Sequence, residues 1–322
     1  MSLRIETFTN PKFGSVFRPG NNVGGNTLFK ALGHPLAAQA APDLRKRLRA
    51  GGPVAIYDPE GALESFDALY SLAGIDIADI YVQRLEAAER SVLGRRARLV
   101  TELAAGKAKT LFVAAFDAAQ HLQQTAPVRP AGMEVLSLDA LRLPEAMLSN
   151  RRKYLDPLNF ATNFALLRDI GDLHTRVVSV NYWGGYGAAD PALWLCLFDG
   201  AGRILAHWTE ALPAANGCFT IDSREIRRRF DLKDFAGSLF IHAIRVAGHD
   251  VVKYALDTYG DDPRELSCTH DANSWPAEFY GGVPAPQDDE RVVLWIENSL
   301  PIAIPAGNVG LRKMGMEADT RY

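Results

Sequence analysis

Chemistry in this sequence is sought first among its imidazoles, which titrate near neutrality and ligate metals. The 322 residues include seven histidines. Three of them, His242, His249 and His270, fall in one stretch with Lys253 and Asp271. If Ala247-Gly248 is a two-residue hairpin turn, Val246 pairs with His249, Ile244 with Val251, and His242 with Lys253. Alternation by two then puts Phe240, His242, Ile244 and Val246 on one face with His249, Val251, Lys253, Ala255 and Asp257. The next apolar stretch ends in Cys268-Thr269-His270-Asp271-Ala272-Asn273 and adds an imidazole and a carboxylate if it pairs alongside. That set suits acid/base work, with His242, Lys253, His270 and Asp271 as catalytic candidates. It equally suits a divalent metal held by His242, His249 and His270, the one cofactor the residues suggest. No HxH, HExxH or CxxC spacing reinforces the metal, and sheet-edge histidines and Asp/Asn turns have simple structural uses. Cys268 with His270 makes a poor nucleophile pair, because same-face neighbours on one strand rarely reach attack geometry.

Aromatic residues offer a second surface. All five tryptophans lie in the second half. Trp183 and Tyr186 sit in a glycine-rich segment, Asn181 to Gly187, and Trp275 and Tyr280 lie near Asn273 in another. Aromatic rings beside small and amide residues can stack on a sugar or grip a peptide, so Trp183, Tyr186, Asn273, Trp275 and Tyr280 are candidate ligand contacts. Large aromatics also plug the ends of β domains.

The first half has one geometric candidate, the turn Asp58-Pro59-Glu60-Gly61-Ala62 after an apolar strand, with Gln83 and Phe116-Asp117 at the ends of the next two. Ligands of open parallel sheets bind beyond the carboxyl ends of the strands. A dinucleotide is not expected there: GxGxxG is missing, and Asp58 and Glu60 would repel phosphate. GxSxG and GxxxxGK[ST] are also missing.

Bulk properties restrict the function classes. With 35 basic and 38 acidic residues the net charge is -3, which argues against a nucleic-acid binder. Residues 1–160 carry 20 basic and 16 acidic residues (+4), whereas residues 161–322 carry 15 and 22 (-7), as separate domains would. Three cysteines without CxxC spacing predict no disulfide framework and a reducing compartment. No h-region and no run of about 18 apolar residues is visible, so a cytoplasmic protein without membrane partners is expected.

The elements that must position these residues change character midway. Up to residue 145, short, largely apolar strands (Val54–Tyr57, Ile77–Val82, Thr110–Phe116, Met133–Leu138) alternate with helical segments, predicting a Rossmann-like α/β domain with a parallel sheet. Residues 146–159 read as a linker. From residue 160 to 322, about nine short strands separated by turn signals predict an all-β, sandwich-like domain. Asp199-Gly200-Ala201-Gly202 is the strongest hairpin signal among them.

The expectation is non-catalytic recognition of a small polar ligand, such as a carbohydrate, or of a protein partner, through the second domain. The alternatives are a metal-assisted or acid/base hydrolase or lyase built on His242, His249 and His270, and a structural or assembly protein. Exposed strand edges predict a homodimer.

Overall fold

The computed structural model describes residues 2–5, 27–88, 90–262, 264–270, 288–289, 293, 295–312 and 319–321. They fall into two units, one spanning residues 27–159 and the other residues 160 onward with the strand at 2–5. That first strand, β1 (Ser2–Ile5), pairs antiparallel with a strand near the C-terminal end, Ile5 opposite Val309.

The α/β unit begins with helices α1 (Thr27–Gly33) and α2 (Pro35–Ala50). Pro35 is preset for the first helical position, and His34 Nδ1 accepts the Leu36 N–H at 3.1 Å, capping the start. Then come β2 (Val54–Tyr57), α3 (Leu63–Tyr70), β3 (Ile77–Val82), the two-residue strands β4 (Ser91–Val92), β5 (Arg95–Arg96) and β6 (Arg98–Leu99), β7 (Thr110–Val113), α4 (Ala119–Thr125) and β8 (Glu134–Ser137). Five of these strands form one sheet in the order β6-β3-β2-β7-β8, every neighbouring pair parallel. Strands β2 and β7 are buried at every position because both faces are covered. Phe66 and Phe112 pack at 5.5 Å between centroids on one side, while Tyr57, Tyr81, Leu103 and Val113 form a cluster on the other. Each such buried ring contributes roughly 1.5–3 kcal/mol. Residues 150–159 close on themselves: Asn150 N–H donates to Asn159 Oδ1, and Asn159 Nδ2 donates to the carbonyls of Asn150, Lys153 and Tyr154.

The second unit is antiparallel throughout its named strands. Its elements are β9 (Ala161–Ile170), β10 (Leu173–Val180), α5 (Tyr182–Gly185), β11 (Ala192–Asp199), β12 (Ile204–Ala211), β13 (Cys218–Asp222), α6 (Ser223–Arg229), β14 (Phe235–Ile244), β15 (Ala255–Tyr259), β16 (Leu266–His270), β17 (Val309–Arg312) and β18 (Asp319–Arg321). β17 pairs with β1 and β18; the other strands form an eight-stranded sheet, β12-β11-β14-β9-β10-β15-β16, with β13 also on β10. The Asp199–Gly202 turn closes the β11–β12 hairpin: Asp199 Oδ1 accepts two N–H groups at 2.9 Å, and Gly202 takes φ 77°. At Gly237 β14 passes so near β11 that a Cβ would stand 1.9 Å from the Phe198 carbonyl oxygen.

The β9–β10 hairpin zips for only two residue pairs, Ile170 with Leu173 and Asp169 with His174. Beyond them Arg168 N–H turns to the Thr175 hydroxyl at 2.7 Å, and Thr175 N–H turns to Ser223 Oγ at 3.1 Å. β9 continues against β14, while β10 continues between β13 and β15. The helix α6 is capped by Asp222, whose Oδ1 accepts from Arg224 N–H at 2.9 Å.

The expected hairpin at Ala247-Gly248 does not form. Both edges of β14 are already occupied, by β9 and β11, so His242 lies opposite Thr162 and Trp194 and not opposite Lys253. The chain turns at residue 247, with His249 N–H on the Ala247 carbonyl, and Val251 reaches Thr162 from the other side of β9. Among the described residues, no helix is long and apolar enough to cross a membrane.

Candidate functional site

The residues singled out from the sequence are dispersed. His242 is 0% exposed and stacks on Phe160 at 6.4 Å between ring centroids, inside the core. His249 is half-buried; its Nε2 lies 3.1 Å from the Tyr186 hydroxyl, and the two rings meet edge to face. Lys253 is exposed, with its backbone clamped: its N–H donates to the Tyr182 hydroxyl and its carbonyl accepts from Ser179 Oγ. Trp183 is fully buried and donates Nε1–H to the His249 carbonyl at 3.0 Å, so it anchors the 246–251 segment. Tyr186 is 56% exposed over Gly248. The structure therefore joins Tyr186 to His249 and separates both environments from that of His242. The backbone of His270 pairs with Ala255, and its side chain lies outside the described set. Asp271, Asn273, Trp275 and Tyr280 lie outside the described residues. Among the described residues, no group of three or more His, Cys, Asp or Glu could hold a metal ion.

At the carboxyl ends of the parallel strands, the acidic turn is largely self-satisfied. Asp58 Oδ1 accepts the Gly61 and Ala62 N–H groups, both at 2.9 Å, and burial pushes its carboxyl up to about 6. Tyr57 donates its hydroxyl to Gln83 Oε1 at 2.9 Å, and His121 Nε2 lies 3.3 Å from Glu60 Oε1. Asp117, in the left-handed region at φ 51°, accepts the Tyr154 N–H at 2.8 Å and pairs with Arg142. A cavity of about 750 Å³ opens elsewhere in this unit beside Leu85, Ala97 and Arg98, whose guanidinium is already paired with Asp79 and Glu102.

A denser convergence of chemically able groups lies on the β unit, at residues outside the candidates named from the sequence. Directly opposed residues of antiparallel strands share a face. Register aligns Phe235, Asp169, His174 and Tyr259 in one row across β14, β9, β10 and β15. The adjacent row on that face is Asp222, Arg176, Asp257 and Cys268. Asp169 Oδ1 accepts from His174 Nδ1 at 2.5 Å, and both side chains are almost wholly buried. Arg227 Nη1 approaches the other Asp169 oxygen at 3.6 Å.

Tyr259 packs on the imidazole at 5.3 Å and donates its hydroxyl to Asp222 at 2.5 Å. Burial, then the Asp222 carboxylate, holds that phenol well above its ordinary range. Arg176 lies over the Tyr259 ring and donates to Asp257 at 2.8 Å, a bond that strengthens its hold on the proton. Asp257 in turn raises the Cys268 thiol.

With Asp169 on Nδ1, the imidazole offers Nε2 as its working atom. That nitrogen is buried and makes no hydrogen bond among the described residues; the nearest charged group is Asp261 Oδ1 at 3.5 Å. Asp261 is itself held by Arg224 at 3.0 Å. The arrangement can take a proton, donate one, or receive a polar group of a ligand. One signal was legible: Asp169 and His174 stand symmetrically about the two-residue turn Gly171-Asp172, so a tight hairpin opposes them. The chain matches no protein-family model, and no curated protein matches it.

Proposed function

We propose that the β unit recognises a small polar ligand over the Asp169–His174 pair. The observation that carries this is His174 Nε2, a buried polar atom with no hydrogen bond among the described residues. Buried polar groups are nearly always satisfied, and a buried ion pair adds little to stability for its own sake. Arg224, Arg227, Tyr259 and Asp261 provide a polar rim. We read the two units as a Rossmann-like domain and a sandwich-like domain. The strand order β6-β3-β2-β7-β8 supports the first, and the early parting of β9 from β10 supports the second. Free thiols at the exposed Cys218 and Cys268 support a reducing, cytoplasmic setting. A homodimer would form through the outer strands β12 or β16.

Calorimetric titration of the full chain with panels of sugars, amino acids, polyols and small carboxylates tests the binding reading. Binding by the wild type that His174→Gln abolishes and Tyr186→Ala leaves intact is the expected result. Retention in His174→Gln moves the site elsewhere, and silence across every panel leaves a structural or assembly protein. Acid/base catalysis is the second reading, favoured by the carboxylate on Nδ1, which fixes the tautomer a general base needs. Turnover of a bound compound with a rate that collapses in Asp169→Asn would establish it.

A further inference from the structure

We infer that the ligand carries a carboxylate or phosphate group, and that Asp261 holds the place of that group in the free protein. The inference rests on the reading that the ligand lies over Asp169 and His174. Three features lead to it.

The first is geometry. The Asp261 carboxylate bridges the two cationic or proton-bearing groups of the rim, with Oδ1 3.5 Å from His174 Nε2 and 3.0 Å from Arg224 Nη1. With protons on both ring nitrogens, Nδ1–H toward Asp169 and Nε2–H toward the rim, the imidazolium and Arg224 together receive an oxyanion. The first contact is too long for a hydrogen bond, so the imidazole is covered but not satisfied.

The second is the contrast in burial. The His174 side chain is 4% exposed and the Asp261 side chain 64%. Asp261 can leave at little cost, because its close ion-pair partner Arg224 is also solvent-exposed and both are readily rehydrated when they part.

The third is that the β15–β16 connection does not need Asp261 to hold its shape. Gly260 N–H donates to the Glu265 carbonyl, Glu265 N–H donates to the Asp262 carbonyl, and Arg264 pairs with Asp262. Asp261 can therefore swing out while the loop stays folded.

Charge decides the ligand class. Asp169 is engaged by His174 and Arg227, and Arg227 also holds Asp234 at 2.6 Å. If a neutral ligand displaced Asp261, Arg224 and the imidazole would lose the anion that bridges them; a ligand oxyanion restores it. Asp261 is thus an internal competitor, and the apparent affinity of the site is reduced by the fraction of molecules in which it is docked.

The test uses full-length protein labelled with 15N-histidine, wild type and Asp261→Ala, titrated with acetate and with inorganic phosphate, and with chloride as the ionic-strength control. Expected is a shift of the His174 imidazole signals on titration with acetate or phosphate but not chloride, with Kd lowered by about tenfold in Asp261→Ala, as for a competitor docked about nine-tenths of the time. The arm that saturates first tells carboxylate from phosphate. The double variant Asp261→Ala/Arg224→Gln should lose the gain. If the His174 signals of Asp261→Ala do not respond to saturating acetate or phosphate while a neutral compound from the panels moves them, the anion inference falls and the recognition reading stands. If no compound of any class moves them, both fall.

Discussion

Asp169 and His174 oppose each other on one of the two rungs of the β9–β10 hairpin, with Oδ1 2.5 Å from Nδ1 and both side chains out of water. Asp169 belongs to a strand that continues toward β14, and His174 to one that continues toward β15. The pair therefore sits where the two groups of strands part, and its hydrogen bond spans that junction. Arg227 of α6 adds a charge on the outer side of the carboxylate.

Removing the carboxylate outright leaves a buried imidazole N–H without an acceptor. Asp169→Ala is expected to destabilise the protein by roughly 3–5 kcal/mol, the range for breaking a buried pair by deleting one partner. Asp169→Asn keeps an acceptor oxygen and loses only the charge, so its cost should be nearer 1–2 kcal/mol. Urea unfolding of the two variants checks this. Equal losses would mean that the pair contributes through packing and not through its hydrogen bond.

Gly248 takes φ 78°, and a Cβ there would meet Tyr186 Cγ at 2.4 Å. Gly248→Ala combines left-handed strain with a clash at the root of the tyrosine side chain, where the ring cannot swing clear. A loss of roughly 2–3 kcal/mol is expected, with strain contributing about 1–2 of it. In a Tyr186→Gly background both the Cγ and the Cβ, the latter 2.6 Å from the would-be methyl, are gone, so the same substitution should cost only the strain. A double-mutant cycle by urea unfolding measures the coupling. Additive losses would show that the two loops do not press on each other.

Much of the fold was legible because its signals are local. The largely apolar runs Val54–Tyr57 and Ile77–Val82 form strands at those residues, and α2 starts at Pro35 and ends at Ala50, just before Gly51-Gly52. Asp199 to Gly202 contains its own hydrogen-bonding side chain and makes its turn without help from the rest of the chain. Ala247-Gly248 looks similar in sequence, but the pairing of residues 249–253 is decided by nonlocal competition: β9 and β11 already hold both edges of β14. No local pattern reports which strand wins an edge. Asp169, His174, Arg224 and Asp261 were missed for the same reason, since they come from two strands, a helix and a loop that only the register brings together. Trp183 read either as a ligand contact or as a buried plug because its neighbours are glycines; those glycines let the backbone approach closely, as Gly184 does beside Ala215, with a would-be Cβ at 2.8 Å.

His242 provides the contrast to His174. It lies at 0% exposure between Trp194 of β11 and Thr162 of β9, stacked on Phe160. His242→Leu is expected to cost about 1–3 kcal/mol through lost polar contacts and altered packing. Compounds that bind over His174 should keep their affinity within about twofold, because core changes that preserve the register rarely reach a distant site. Unfolding and calorimetry on the same preparation separate the two effects. Affinity lost at unchanged stability would return His242 to the site.

Asp58 gives the α/β unit a signature in its pH dependence. Burial raises its carboxyl from 3.8 to about 6, against the opposing pull of backbone N–H groups at Gly61, Ala62 and Leu63. The folded protein therefore holds this proton more tightly than the unfolded chain does. The stabilisation is complete below the unfolded value near 4 and is lost as pH rises through about 6, because stability falls wherever the native state binds more protons. The difference of about two units corresponds to roughly 3 kcal/mol. Asp58→Asn keeps an oxygen for Gly61 and Ala62 and carries no titrating proton. Measured from pH 4 to pH 7, the variant should gain on the wild type by up to about 3 kcal/mol, nearly all of it between pH 4 and 6.5. A stability difference between the two proteins that stays flat over that interval would show that the Asp58 carboxyl is not held in its protonated form by burial.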